Sequence, residues 1–99
     1  MNTPVPESRD GPLRRVLTIV NERGLHARAA AKFVKCVEGF DAQITVLKDD
    51  MVVSGGSIMG LMMLGAAPGT TIELVVEGRQ AKAAVQAVAR LVESRFGED

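Results

Sequence analysis

The chain has 99 residues and a mass of 10.5 kDa, the size of one small domain. Twelve Lys and Arg residues balance twelve Asp and Glu residues, so the net charge of zero argues against a general nucleic-acid binder. One Cys and one His are too few for an intramolecular disulfide or a typical structural zinc site. No apolar run approaches the roughly 20 residues that span a bilayer. We therefore expect a cytoplasmic protein without a membrane segment, bound metal or cofactor.

Composition changes near the start of the chain. Pro4, Pro6, Pro12 and Gly11 fall within the first twelve residues, which show no apolar period. Residues 1–12 are therefore interpreted as a flexible leader, and residues 13–99 as the folded domain.

Apolar periodicity predicts the first elements of that domain. Leu17 and Ile19 indicate a first strand around Val16–Val20, because they alternate with side chains of the other face. The i, i+3, i+4, i+7 spacing then predicts a helix over Ala27–Glu38, with an apolar stripe of Ala30, Phe33, Val34 and Val37. Alternation returns in a second strand, Ala42–Leu47, and a turn at Asp49 and Asp50 leads into a third, Met51–Ser54.

The second half of the chain continues with two helices and one strand. Ser57 is a suitable N-cap for a short helix, Ile58–Leu64. Thr71–Glu77 alternates as a fourth strand, and a long helical stripe runs from Ala81 to Val92. The order β-α-β-β-α-β-α predicts a two-layer α/β sandwich, with the helices on one face of the sheet and the other face in water.

The only histidine lies where a glycine turn meets the first helix, in Gly24-Leu-His-Ala-Arg-Ala-Ala-Ala31. The first N–H groups of a helix lack internal partners and carry the positive end of its dipole. This dipole disfavours protonation of His26, so the ring keeps a lone pair at neutral pH. Arg28 adds donors suited to phosphate oxygens. The group is a candidate site for receiving a phosphoryl group, and a solvated histidine beside an exposed arginine is the structural alternative.

The residues Gly24-Leu-His-Ala-Arg28 and Ala30-Ala-Lys-Phe-Val34 resemble the active-site signature of the HPr phosphocarriers of the bacterial phosphotransferase system. Ser57-Ile-Met-Gly-Leu-Met-Met-Leu64 is similar to the regulatory serine of that family and its short helix. The resemblance covers about Val16 to Phe96. It implies an open-faced sandwich of four antiparallel strands in the order 1-4-2-3, with three helices on one face.

The resemblance also implies a function. His26 would be phosphorylated on Nδ1 by enzyme I, which is charged from phosphoenolpyruvate, and Arg28 would steady the phosphoryl group. The phosphate would pass to an enzyme IIA-type acceptor, in sugar uptake or in a nitrogen-related or regulatory relay. Such a protein is a phosphoryl carrier more than an enzyme. Ala29 departs from the family, which usually has Pro there, but Ala favours a helix and the helix should form.

A second phosphorylation site is implied at Ser57, with a serine kinase/phosphorylase as the further partner. This serine also departs from the common pattern, because Gly55 and Gly56 precede it instead of a basic residue. The structural alternative is an ordinary N-cap worth about 1 kcal/mol.

The expected partner surface combines charge and adaptable apolar side chains. Its residues are Lys32 and Lys35 on the first helix and Ile58, Met59, Met62 and Met63 on the short helix. We expect a monomer that binds neither nucleic acid nor membrane. The alternative function is a non-catalytic regulatory module that binds its partner through Met59 and Met62. A small-molecule regulatory domain is a weaker third hypothesis.

Overall fold

Four strands form one antiparallel sheet in the order β1-β4-β2-β3. They are β1 Leu13–Thr18, β2 Gln43–Lys48, β3 Met51–Ser54 and β4 Thr71–Glu77. The computed structural model describes residues 12–98, so the predicted leader lies outside the described residues except for Pro12. The predicted strand order is confirmed.

Three helices cover one face of this sheet: α1 Ala27–Glu38, α2 Ile58–Met63 and α3 Ala81–Glu93. A short 3-10 segment, Arg95–Gly97, follows α3. Over residues 12–98, no helix is long and apolar enough to cross a membrane. The predicted two-layer α/β open-faced sandwich is confirmed.

The core lies between the helices and the inner face of the sheet. In β4, Ile72, Leu74 and Val76 are at most 1% exposed, whereas the residues between them face the open side. The α1 stripe of Phe33, Val34 and Val37 is buried against this layer, as its spacing predicts. Strand alternation and helix periodicity therefore place their apolar sides in one shared core.

The first strand differs from its prediction. β1 begins at Leu13 and ends at Thr18, whereas the apolar alternation favoured Val16–Val20. Its backbone pairs with β4 from the Leu13–Val76 pair onward, so Arg14 and Arg15 belong to the strand although their side chains are exposed. Edge pairing depends on backbone groups, and an edge strand with one buried side chain carries little apolar pattern.

Two other elements differ from their predicted bounds by one residue. β2 runs from Gln43 to Lys48 instead of Ala42–Leu47. α2 ends at Met63, and Leu64 is its C-cap. The bounds of α1, β3 and β4 agree with their predictions.

The turn before α1 is fixed against the loop before β4. The Leu25 N–H donates to the Ala66 carbonyl over 3.0 Å. Gly24 has φ +66°, and a Cβ on it would lie 2.3 Å from the same carbonyl oxygen. Only glycine combines this left-handed backbone with so close an approach, so Gly24 sets where α1 begins.

Candidate functional site

His26 is the N-cap of α1, with an extended backbone at φ −75° and ψ 178°. Its carbonyl accepts the Ala30 N–H over 2.8 Å, which starts the helical ladder. Its side chain makes no capping hydrogen bond, so the first N–H groups of α1 keep their donor capacity. The helix begins at Ala27 as predicted, with Ala29 in its first turn.

The imidazole is largely buried although it lies at the start of a helix. The side chain of His26 is only 15% exposed. Its Nε2 is in hydrogen-bond contact with Oε2 of Glu98, 72 residues away in the sequence. Among the described residues, the other ring nitrogen, Nδ1, has no hydrogen-bond partner. The two nitrogens therefore have different environments.

The Glu98 carboxylate is held at both of its oxygens. Besides the His26 contact, its Oε1 accepts a hydrogen bond from Asn21 Nδ2 over 3.2 Å. The hydrogen bond with His26, followed by that with Asn21, lowers the pKa of Glu98 below its ordinary value, although partial burial opposes this effect. Glu98 is therefore a carboxylate at neutral pH and places negative charge beside His26.

The segment that carries Glu98 has an unusual backbone. Arg95, Phe96 and Gly97 all have positive φ, at 62°, 55° and 75°. For non-glycine residues this conformation costs about 1–2 kcal/mol each, so other contacts must maintain it. The Phe96 side chain is fully buried, and its carbonyl accepts a hydrogen bond from Lys32 Nζ over 2.6 Å. Phe96 therefore anchors the segment that carries Glu98 beside α1.

A cleft of about 360 Å³ opens beside the imidazole. Three cationic and two anionic side chains line it together with His26 and one glycine: Arg23, Arg28, Lys32, Glu22, Glu98 and Gly97. We call this cleft, with Asn21 and the tail residues Phe96–Glu98, the histidine corner. An excess of positive side chains at a helix N-terminus suits a phosphoryl group.

Sequence reasoning found part of this corner. It predicted His26, Arg28 and Lys32, all of which line the cleft, but it missed Arg23 and Glu98. One signal for a docked tail was present in the sequence. Phe96 is apolar and lies four residues beyond Val92, the last residue of the α3 stripe. No local pattern indicated where that tail docks.

The two predicted lysines have different surroundings. Lys32 donates one of its N–H groups to the Phe96 carbonyl. Lys35 is exposed in the last turn of α1 and does not line the cleft. The Arg28 guanidinium is exposed and, over residues 12–98, has neither an ion-pair nor a hydrogen-bond partner. Within this described part of the chain, the donors of Arg28 are thus free for a ligand, as are those of Arg23, which also lines the cleft.

Ser57 has the predicted capping geometry. It has an extended backbone, and its Oγ accepts the Gly60 N–H over 3.0 Å. A Cβ on Gly60 would lie 3.1 Å from Val53 and 3.2 Å from this Oγ, so glycine there suits the tight first turn of α2. The N-cap role of Ser57 is therefore present in the folded protein.

The predicted apolar surface lies on α2, which packs beside α1. Met59 is 71% exposed and Met63 66%, whereas Leu61 on the same helix is fully buried. Ile58 and Met62 are exposed to a smaller extent. We call Ile58, Met59, Met62 and Met63 the methionine patch. A six-residue helix cannot bury all its faces, and this one leaves its flexible side chains in water.

Comparison with known proteins decides the family. The family model described as "PTS HPr component phosphorylation site" matches residues 13–94. The chain belongs to the HPr family. HPr proteins are phosphocarriers of the phosphotransferase system, so the carrier role predicted from the sequence is confirmed at this level.

Individual HPr relatives support the same assignment along most of the chain. The phosphocarrier protein HPr of Neisseria meningitidis serogroup A is 45% identical over 86 residues, which cover 87% of this chain and 97% of the relative. The phosphocarrier protein NPr of Shewanella violacea is 43% identical over 86 residues, 87% of this chain and 94% of the relative. The crystal structure of HPr from Thermoanaerobacter tengcongensis superposes with a TM-score of 0.84 at 42% identity, covering 88% and 98% of the two chains.

Proposed function

We propose that His26 carries the phosphoryl group. Nδ1 would accept it from enzyme I, itself charged from phosphoenolpyruvate, and would pass it to an enzyme IIA-type acceptor in sugar uptake or a regulatory relay. The observation that carries this proposal is the cleft at the start of α1, where a histidine with an unpartnered Nδ1 meets an excess of cationic side chains.

The electrostatics of the cleft support this role. The N–H groups of Ala27, Arg28 and Ala29 belong to the unpaired first turn of α1, and the helix dipole favours an anion there. Because residue 29 is alanine, its N–H is present as a donor, whereas a proline would lack it. Phosphoryl oxygens need several donors, and this turn can supply them without side-chain rearrangement.

Arg28 is proposed to steady the phosphoryl group during transfer. Its guanidinium lines the cleft without another partner among the described residues, and its planar fork matches phosphate oxygens. Arg28→Ala is expected to slow transfer without unfolding the protein. Arg90→Ala is the matched control, since Arg90 is an exposed arginine of α3 outside the cleft.

The central experiment is labelling with isotopic phosphoenolpyruvate and enzyme I. His26 is the only histidine, so His26→Gln should abolish an acid-labile label completely, while Arg90→Ala keeps it. Gln is chosen because its side-chain amide can still donate to Glu98. Thermal unfolding of both variants checks the fold. Label that persists in a folded His26→Gln variant contradicts the assignment.

The methionine patch, with Lys32 and Lys35, is proposed as the docking surface for enzyme I and the acceptor. The exposed, flexible side chains of Met59 and Met63 support it, because such surfaces adapt to several partners. Met59→Glu should raise the KM for this carrier in both half-reactions. Val52→Glu is the control, because Val52 is 64% exposed, close to the 66% of Met63, and lies on the sheet.

Ser57 is proposed as a regulatory phosphorylation site for a serine kinase/phosphorylase. A phosphate would add about −1.5 to −2 charge at neutral pH, directly before the methionine patch. The α2 dipole favours an anion at that end, so the effect should fall on docking rather than on folding. Ser57-phosphorylated protein that accepts phosphate at His26 as fast as the unmodified form would leave Ser57 a helix cap only.

A further inference from the structure

The end of the described chain is built into the histidine corner rather than lying against it loosely. Phe96 is fully buried, and Lys32 Nζ holds its carbonyl over 2.6 Å. The Glu98 N–H donates to the Arg95 carbonyl over 2.9 Å. These contacts fix the backbone on the N-terminal side of Glu98, so its side chain leaves from a defined position.

Asn21 fixes the carboxylate itself. This side chain is fully buried, and its Nδ2 donates both to the Gly24 carbonyl over 2.8 Å and to Glu98 Oε1 over 3.2 Å. Both partners are acceptors, so the amide orientation is determined by the network. The buried Oδ1 has no hydrogen-bond partner among the described residues. In this orientation both N–H groups of Asn21 donate hydrogen bonds, and the unpaired oxygen is the energetic cost.

The contact between Glu98 and His26 selects a tautomer. A carboxylate only accepts hydrogen bonds, so the histidine nitrogen beside it must carry the proton. The neutral ring then has its proton on Nε2 and its lone pair on Nδ1. The hydrogen bond with His26 is the largest influence on the pKa of the Glu98 carboxyl and lowers it, which keeps this group ionised at neutral pH.

We propose that Glu98 is a positioning residue for phosphoryl transfer: held by Asn21 and by the Phe96 anchor, it keeps the His26 proton on Nε2 and so makes Nδ1 the nucleophile. This inference rests on the proposed function of His26 and adds to it the group that decides which ring nitrogen reacts. Histidines in other catalytic sites are oriented by a carboxylate in the same manner.

In this arrangement the phosphoryl group can be transferred without the ring gaining or losing a proton. The Nδ1 lone pair forms a bond to the phosphorus of phosphorylated enzyme I, the bond from phosphorus to the donor atom breaks, and its electron pair stays with the donor. The ring keeps the Nε2 proton and gains positive charge, which the Glu98 carboxylate stabilises from the opposite side. In the onward step the acceptor attacks phosphorus, the Nδ1–phosphorus bond breaks, and its electron pair restores the neutral tautomer.

Glu98→Gln gives a sharp test, because the network predicts its outcome. Asn21 Nδ2 needs an acceptor, so the introduced amide should turn its oxygen toward Asn21 and its NH₂ toward His26. Nε2 would then have to accept, and the proton would move to Nδ1. The shape of the side chain and the Phe96 anchor are unchanged. Glu77→Gln is the matched control, since Glu77 is an exposed glutamate at the end of β4.

Two measurements on the full chain are combined. Nitrogen-15 NMR of the histidine ring should show a proton on Nε2 in the unsubstituted protein and in Glu77→Gln, and on Nδ1 in Glu98→Gln. The rate of labelling by enzyme I should fall at least about tenfold in Glu98→Gln only, as for other groups that orient a reacting ligand. Thermal unfolding should remain cooperative in both variants, with Glu98→Gln losing only the modest stability that the ionised Glu98 side chain contributes through its hydrogen bonds.

The outcomes separate this inference from the proposed function. An unchanged tautomer in Glu98→Gln overturns the inference, whether or not labelling slows, because a slower rate would then have a purely structural cause. An inverted tautomer with an unchanged labelling rate overturns it as well. Absence of label on the unsubstituted protein overturns the proposed function, and the role of Glu98 in transfer with it, even where the ring proton lies on Nε2.

Discussion

The histidine corner and the methionine patch lie on adjacent helices, yet they are built in opposite ways. In the corner, His26 is 15% exposed and Glu98 18%, and hydrogen bonds hold both side chains. In the patch, Met59 and Met63 are more than 60% exposed, and α2 fixes only their backbone. Group transfer needs a reacting atom in a defined position, whereas docking to several partners gains from side chains that adapt. Under the proposed function, α1 would meet the first requirement and α2 the second.

Loss of the tail anchor should have the largest effect on stability. Phe96→Ala removes a fully buried aromatic side chain and should lower the free energy of unfolding by about 3–5 kcal/mol, measured by urea denaturation. The matched variant in the patch, Met63→Ala, should change it by no more than about 0.5 kcal/mol. Equal effects of the two substitutions would show that Phe96 does not anchor the tail.

The turn before α1 should be the next most sensitive position. Gly24→Ala places a left-handed alanine with its Cβ against the Ala66 carbonyl, while Gly65→Ala after α2 has a similar φ of +60° and open space around it. The second substitution should cost about 1–2 kcal/mol, and the first about 1–3 kcal/mol more. Urea denaturation gives the unfolding free energies of the two variants, and their difference measures the cost of the steric contact. Similar losses would mean that the loop before β4 moves away freely.

The cap of α2 should contribute less. Ser57→Ala removes the acceptor of the Gly60 N–H and should lower the free energy of unfolding by about 1 kcal/mol. Ser57→Asp keeps a capping oxygen and should change it by only a few tenths of a kcal/mol. The same Asp variant should slow phosphorylation by enzyme I, which distinguishes docking from folding. A large loss of stability in Ser57→Asp would contradict this separation.

Lowering the pH should reduce the contribution of the histidine corner to stability before it affects the methionine patch. The pKa of Glu98 is lowered in the folded protein, so the folded state binds this proton less readily than the unfolded state. Its contribution to stability is therefore complete above the ordinary carboxyl pKa of about 4.3 and is lost as the pH falls through the lowered value. The difference in unfolding free energy between the unsubstituted protein and Glu98→Gln should shrink in that range. Glu22, Arg23, Arg28 and Lys32 share the cleft, so the urea series is run at constant ionic strength.

Most of the fold could be predicted from short-range pattern. The bounds of α1 follow from an apolar stripe at helical spacing, and those of β4 from strict alternation over seven residues. β1 was placed too late in the chain because Leu17 is its only buried residue, and the apolar alternation of Leu17 with Ile19 continues beyond the end of the strand. Pairing with β4, and not the side-chain pattern of β1, decides where that strand begins.

The local features of the site could also be predicted from the sequence, whereas its long-range contacts could not. Ser57 could be recognised as a cap and Met59 as exposed, because both properties follow from a short helix that begins at a fixed residue. His26 could be placed at the start of α1 for the same reason. The low exposure of His26 could not be predicted, because the side chain that covers it, Glu98, comes from the segment after α3.

The sequence by itself determined the elements, their apolar faces, the position of His26 at a helix start, and the resemblance that led to the HPr family. Only the tertiary structure decided what surrounds that histidine. Glu98 reaches it across 72 residues of sequence, and Phe96 meets Lys32 across 64. Periodicity and capping act over a few residues, whereas these contacts exist only after the sheet has formed and α3 has packed on it. A local pattern carries no information about which distant segment will lie beside it, and for this reason the partner of Nε2 appears only in the folded protein.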